Sequence, residues 1–184
     1  LVKVSKKDAE DVKVLLGLMG VPVVDAPMEA EAQCAEMVRG GKADAAGTED
    51  MDVLTFASPV QLRRLTFSGK GKDQQKVVEI KHERVIQGLG LTQSQFIDFC
   101  IMGGCDYTST IKGVGPKTAL KLIKQHGDIE SVLAAFKGDK ERAKIPDGWL
   151  SPQERTHRKA QRRKDALLSS SKANEDQEKS TSGG

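Results

Sequence analysis

Aromatic residues, cysteines and long apolar segments are all scarce in this sequence of 184 residues. Aromatic side chains make up only 4% of it, so an aliphatic core is expected. Three cysteines, an odd and sparse set, argue against a disulfide framework and indicate buried free thiols in a reducing compartment. No apolar run approaches the ~20 residues that a membrane-spanning helix needs, so no membrane partner is expected.

The net charge of +3 is unevenly distributed along the chain. Residues 1–150 contain equal numbers of basic and acidic side chains, so the excess lies in residues 151–184. A basic run there, which includes Arg155, Arg158 and Lys159, is typical of a nuclear localisation signal or of an arm that binds the DNA backbone. A solvated tail explains it equally well. Because Ser151 onward lacks apolar periodicity, a basic, disordered tail is expected over 151–184.

Short apolar segments alternate with amphipathic ones over the first hundred residues. The short segments predict strands at Val21–Val24, Asp44–Thr48 and Val77–Ile80, the last at a sheet edge. Strands or short helices are predicted at Val53–Phe56 and Leu62–Phe67, and helices at 7–19, 25–39, 82–88 and 93–102. This alternation predicts an α/β domain with a mainly parallel sheet, in which ligands bind at the carboxyl ends of the strands.

Acidic residues fall into three tight clusters beside apolar or small residues. The clusters are Glu29 with Glu31, Asp50 with Asp52, and Asp106. Grouped carboxylates repel one another, and Mg²⁺, which prefers hard oxygen ligands, offsets that repulsion. Two such ions can activate a water and stabilise the leaving oxygen of a phosphodiester. The pattern therefore indicates a metal-dependent nuclease.

Each acidic cluster also has a purely structural explanation. Glu29 and Glu31 reach one metal only if the chain is entering a helix at Glu29, and complementing a helix N-terminus is the simpler explanation. Asp50 and Asp52 would share one face of an extended segment, although a solvated acidic turn is as good an explanation. Asp106 follows an apolar run, where a charge is often partly buried or caps a helix end. The three clusters taken together favour the metal site.

A Gly-x-Gly-Pro-Lys sequence follows the acidic clusters. Its two glycines permit a tight hairpin, and its proline suits the first position of a helix, whose free N–H groups form an anion site suited to phosphate. Helices predicted at 116–125 and 128–136 would complete a helix–hairpin–helix, which grips a nucleic-acid backbone without reading bases. A plain helical turn explains neither glycine. The candidate DNA-binding residues are Lys112, Gly113, Val114, Gly115, Lys117 and Lys121.

Four motifs contain the acidic clusters and the hairpin. They are Leu-Met-Gly-Val-Pro-x-x-Asp-Ala-Pro-x-Glu-Ala-Glu-Ala at 18–32, Thr-Glu-Asp-Met-Asp-x-Leu-Thr-Phe at 48–56, Gly-Cys-Asp-Tyr at 104–107 and Ile-Lys-Gly-Val-Gly-Pro-Lys at 111–117. Together these motifs resemble the XPG family of structure-specific flap endonucleases. The resemblance implies a PIN-like nuclease core over 1–105 and a helix–hairpin–helix region over 106–150. It also implies 5′-flap endonuclease and 5′–3′ exonuclease activity on DNA in replication and repair, in the nucleus and with the mitochondrion as a second location.

The resemblance also implies roles for the acidic residues and for partners. Glu29 and Glu31 would bind the first of two Mg²⁺ ions, and Asp50, Asp52 and Asp106 the second. A K⁺ ion would lie at the hairpin. A sliding clamp is an expected partner of the family, although the clamp-binding motif, a Gln followed by paired aromatics, is absent from this sequence.

The main departure from the family concerns its N-terminal half. That half carries two further metal-binding aspartates, and a Lys and an Arg that clamp the scissile phosphate. No equivalent precedes Leu1, so the sequence is expected to be a fragment that lacks the N-terminal part. The alternative function is a non-catalytic module that binds duplex DNA. An RNase of the related PIN-like fold is a third possibility, against which the DNA-type hairpin argues.

Overall fold

The computed structural model describes residues 4–65, 76–136, 138 and 144–162. The chain divides into two compact units, Leu1–Gln93 and Ser94–Gly184. The boundary at 105/106 between nuclease core and helix–hairpin–helix region stays a prediction. Within the described ranges, every helix is too short or too polar to cross a membrane.

In its described residues, the first unit combines four helices with a small sheet. Its helices are α1 (Lys6–Leu18), α2 (Ala30–Arg39), α3 (Asp52–Thr55) and α4 (His82–Leu89), and its strands are β1 (Ala46–Gly47), β2 (Val60–Arg63) and β3 (Val78–Lys81). β2 lies between the other two, parallel to β1 and antiparallel to β3. The α/β class is confirmed. The described sheet is mixed rather than mainly parallel, because β3 returns beside β2, and antiparallel neighbours need no helical crossover.

The core of the first unit is aliphatic, as the composition predicts. Helix α3 contributes Val53 and Leu54, helix α2 contributes Ala35 and Val38, and β1 contributes Ala46. All five are buried. This packing fixes the short helix α3, which is too short to be stable alone, beside helix α2.

Two predictions near the start of the chain are wrong. Val21–Val24 form no strand, and Val24 is 57% exposed. A strand needs a neighbour for its backbone hydrogen bonds, and the described sheet, whose order is β1-β2-β3, does not include this segment. Helix α2 begins at Ala30 rather than near Asp25, because the chain bends at Pro27 before it enters the helix.

The second unit is helical. Its elements are α5 (Gln93–Gly103), α6 (Pro116–His126), α7 (Ile129–Ala135), a 3-10 turn (Asp147–Trp149) and α8 (152–162). Its buried core is again mostly aliphatic and includes Met102, Ile111, Ile123, Val132 and Ile145. The predicted pair of helices after the hairpin is confirmed as α6 and α7. The three cysteines are free as predicted, but Cys34 is exposed and the others are half-buried.

The predicted disordered tail is wrong for residues 152–162, which form helix α8. Ser151 and Glu154 form a capping box: the Ser151 N–H donates to Glu154 Oε2 at 3.0 Å, and the Glu154 N–H donates to Ser151 Oγ at 3.3 Å. Pro152 occupies the first helical position, where its missing N–H costs nothing. The remainder of the predicted tail, residues 163–184, lies outside the described residues.

Candidate active site and nucleic-acid interface

Glu29 and Glu31 lie where the chain enters helix α2. Glu29 is the N-cap residue, with an extended backbone at φ −81° and ψ 130°, and its side chain makes no capping hydrogen bond among the described residues. Glu31 lies in the first helical turn and is half-buried, whereas Glu29 is exposed. The condition for both carboxylates to serve one metal, that the chain enters a helix at Glu29, is therefore met. Capping of the helix does not explain Glu29.

Asp50 and Asp52 lie in a turn between β1 and α3. The Asp50 N–H donates to Thr48 Oγ1 at 3.0 Å, and the Asp52 N–H donates to Asp50 Oδ1 at 2.9 Å. These local hydrogen bonds bend the chain, Met51 takes the helical conformation, and α3 begins at Asp52. The predicted extended segment is therefore wrong. The predicted position just after a strand is confirmed, and both carboxylates are exposed.

Gln61 of β2 holds this turn in place, and the sequence analysis missed it. The side chain is fully buried, and its Nε2 donates to the carbonyl oxygens of Thr48 at 3.0 Å and Asp50 at 2.8 Å. Its Oε1 is buried without a partner among the described residues. If the amide were flipped, Oε1 would lie against the two carbonyl oxygens. These two carbonyls therefore determine the orientation of the Gln61 amide. A polar residue in the middle of an apolar strand is the signal that could have identified it.

Glu49 also ties the same turn to the end of β2. Its carboxylate accepts hydrogen bonds from the Arg64 N–H at 2.5 Å and from Arg63 Nε at 3.2 Å. The backbone hydrogen bond from Arg64 is the main reason that the pKa of Glu49 lies below its ordinary value. Glu49 is thus a structural acid, and Asp50 and Asp52 are the carboxylates that the turn presents to solvent.

Asp106 belongs to the second unit. It follows α5 in a short loop that an isolated antiparallel bridge between Cys105 and Thr108 closes. Gly104 allows this loop, because its φ is +125° and a Cβ there would lie 3.3 Å from Thr110 Cγ2. Asp106 is exposed, so the expectation that this charge is partly buried is wrong.

The candidate carboxylates are chemically suitable ligands for Mg²⁺. Mg²⁺ takes oxygen ligands, commonly one or two carboxylates, and keeps waters that substrate phosphates replace. Asp50 and Asp52 supply two such carboxylates within one turn. Within the described ranges, however, no three His, Cys, Asp or Glu side chains are grouped as a metal site. The turn therefore fits part of a Mg²⁺ ligand set.

The hairpin before α6 exposes backbone and lysines together. The Val114 N–H donates to the Ile111 carbonyl at 2.9 Å, which closes a turn with Gly113 at φ +83°. Gly115 is the N-cap of α6, and its residue type provides no side chain to cap the first N–H groups. Lys112, Gly113, Gly115, Lys117 and Lys121 are exposed, and Val114 is half-buried. The structure thus presents the candidate DNA-binding residues at one helix start and along its first turns.

The two hairpin glycines are expected to respond differently to alanine. Gly113→Ala should cost about 1–2 kcal/mol of unfolding free energy, because φ +83° is strained for a side chain. Gly115→Ala should cost less than about 1 kcal/mol, since its backbone is extended and a Cβ meets no described atom within 4 Å. It should instead weaken duplex DNA binding by obstructing the helix start. Urea unfolding and fluorescence anisotropy measure the two effects, and a Gly115→Ala chain with unchanged affinity would contradict this role.

Residues 20–106 match the XPG I-region. All five candidate acidic residues fall inside this match, which ends at Asp106. The chain contains the I-region of the XPG family. This match confirms the family inferred from the four sequence motifs.

Full-length relatives in the XPG family are considerably longer than this chain. Flap endonuclease 1 of Phaeodactylum tricornutum is 51% identical over 150 residues, which are 82% of the chain and 35% of that relative. Flap endonuclease 1 of Uncinocarpus reesii is 50% identical over 155 residues, which are 84% of the chain and 39% of that relative. The chain thus spans well under half the length of the relatives that it matches.

Solved structures of XPG-family nucleases share the fold. Flap endonuclease-1 from Methanococcus jannaschii gives a TM-score of 0.63 at 32% identity, over 75% of the chain and 41% of that protein. The catalytic core of Rad2 in complex with DNA substrate gives a TM-score of 0.65 at 28% identity, over 86% of the chain and 48% of that core. The chain has the PIN-like α/β fold of these nuclease cores.

Proposed function

We propose that this chain is part of a structure-specific 5′-flap endonuclease that hydrolyses DNA with the help of Mg²⁺. The observation that carries the proposal is the XPG I-region match, which contains all five candidate carboxylates. The structure supports it further, because Asp50 and Asp52 lie together in a turn that hydrogen bonds from Gln61 of β2 and from Arg64 hold in place. The 5′–3′ exonuclease activity and the roles in replication and repair are proposed on the same family relationship.

Glu29, Glu31, Asp50, Asp52 and Asp106 would hold two Mg²⁺ ions in the active protein. When bound, these ions supply an activated water and stabilise the leaving oxygen. Asp50 and Asp52 provide oxygen ligands at the carboxyl end of β1, and Gln61 and Glu49 keep their turn from moving.

DNA is the proposed partner of the second unit. The hairpin and α6 would hold a phosphate of the duplex through backbone N–H groups, with Lys112, Lys117 and Lys121 adding positive charge. A K⁺ ion would bind at the hairpin, and the intact protein would act in the nucleus, with the mitochondrion as a second location. A sliding clamp is proposed as a further partner of the intact protein.

Cleavage of matched DNA substrates by the purified chain tests the proposal. A labelled 5′-flap duplex, the same duplex without the flap, and the free single strand are incubated with Mg²⁺. Cutting at the flap junction alone is expected. Equal cutting of all three would contradict structure specificity. Tight duplex binding without any cutting would support the alternative, a non-catalytic module that binds duplex DNA.

A further inference from the structure

Helix α8 carries a stripe of four cations on one side. Arg155, Arg158, Lys159 and Arg162 are spaced i, i+3, i+4 and i+7, which places them within about 100° of one another around an α-helix. Arg155, Lys159 and Arg162 are exposed, and Arg158 is half-buried. A disordered tail would not align these charges, so the stripe is a property of the folded helix.

Part of this stripe is used to attach α8 to the second unit. The Arg158 side chain is 16% exposed, and its Nη1 donates to the Ile145 carbonyl at 2.6 Å and to Asp147 Oδ1 at 3.0 Å. Arg162 Nη1 donates to Asp147 Oδ2 at 3.3 Å. The hydrogen bond from Arg158 is the main reason that the pKa of Asp147 lies below its ordinary value. Asp147 is a single carboxylate that pairs with two of the four cations, so the stripe keeps a positive excess.

The segment that holds α8 also holds the hairpin. The Lys112 N–H donates to the Lys144 carbonyl at 3.2 Å, and Arg158 binds the carbonyl of the next residue, Ile145. Trp149 Nε1 adds a hydrogen bond of 2.6 Å to Thr108 Oγ1, in the loop before the hairpin. Helix α8 and the hairpin are therefore attached to consecutive residues of one short segment.

We propose that the exposed cations of α8, Arg155 and Lys159 foremost, form a second surface that binds the phosphate backbone of duplex DNA. The proposal rests on the DNA binding proposed for the hairpin and extends it to an element beyond that motif. Charge complementarity identifies the occupant, because each lysine or arginine that neutralises a phosphate releases counterions. Arg158 acts as a positioning residue that fixes the stripe beside the hairpin.

Salt-dependent binding of a flapless duplex tests this surface. Anisotropy titrations at several salt concentrations compare the unchanged chain with an Arg155→Ala/Lys159→Ala double variant. We expect weaker binding to every duplex sequence and a plot of log affinity against log salt that is shallower by about two. A Lys6→Ala/Lys7→Ala variant is the matched control, because it makes the same charge change on exposed positions of α1 and should keep the original slope.

The outcomes distinguish DNA binding by the α8 surface from DNA binding by the hairpin. If Lys117→Ala weakens binding while the double variant keeps the affinity and slope of the unchanged chain, the α8 surface is wrong and the hairpin stands. If the unchanged chain does not bind duplex DNA at all, both are wrong. If the double variant binds DNA normally but no longer accumulates in nuclei, the stripe is an import signal, and the proposal is overturned.

Discussion

Replacing Gln61 with methionine is expected to weaken the binding of a divalent cation roughly 10–100-fold, the effect typical of losing a residue that orients metal ligands. Methionine has a similar length but no N–H groups, so the carbonyls of Thr48 and Asp50 lose their hydrogen bonds. Water cannot easily replace them, because Gln61 is fully buried. The turn would then hold the carboxylates of Asp50 and Asp52 less rigidly. A Mn²⁺ titration followed by electron paramagnetic resonance measures the affinity.

The same substitution at Gln93 is the matched control for Gln61. Gln93 Nε2 donates to the carbonyl of Thr55 at 2.9 Å, at the opposite end of α3 from the acidic turn. Both variants should lose unfolding free energy, about 1–3 kcal/mol for each carbonyl left unsatisfied. Only Gln61→Met should change the affinity for Mn²⁺. If Gln61→Met and the unchanged chain bind Mn²⁺ with equal affinity, Gln61 stabilises the fold but does not orient the metal ligands.

Asp52→Asn is expected to reduce Mg²⁺-dependent cleavage of a 5′ flap by more than about 100-fold while duplex binding stays unchanged. Asparagine keeps the shape of the side chain at the start of α3 but removes the charge that a cation needs. Removing a side chain that binds the ion directly should reduce cleavage by more than the roughly 10–100-fold effect of removing a residue that orients the ligands. Single-turnover cleavage and anisotropy on the same flap substrate measure the two quantities.

Asp44→Asn provides the control for charge. Asp44 is an exposed acid shortly before β1, so its replacement makes the same change in net charge without altering the acidic turn. Its cleavage rate should match that of the unchanged chain. An equal loss of cleavage in the two variants, or a parallel loss of DNA binding in Asp52→Asn, would contradict a specific metal-binding role for Asp52.

The helices of the second unit could be predicted because their signals are local. Pro116 begins α6, and Gly127, with φ +99°, follows its last residue. Asp128 then caps α7 by accepting a hydrogen bond from the Ser131 N–H at 2.7 Å. Helix α8 had a local signal too, the Ser151-Pro-Gln-Glu154 capping box, although residues from Ser151 onward lack the apolar periodicity that predicted the other helices.

Structural features that depend on contacts between residues far apart in the sequence were mostly not predicted. Whether Val21–Val24 form a strand depends on a neighbouring strand, which their own sequence does not specify. The turn at Asp50 and Asp52 depends on side-chain hydrogen bonds that an alternation pattern does not reveal. Gln61 contacts the turn from 11 and 13 residues away in sequence. The acidic residues themselves were found because their clustering is visible without the fold.

Flap cleavage across a Mg²⁺ titration is the most direct test of the central claim, that these carboxylates belong to a metal-dependent flap nuclease. The account predicts no cutting in EDTA and cutting at the flap junction as Mg²⁺ is added. At low Mg²⁺ the rate should rise more steeply than in direct proportion, because two ions are needed. Cutting that persists in EDTA, or duplex binding without cutting at any Mg²⁺ concentration, would contradict it.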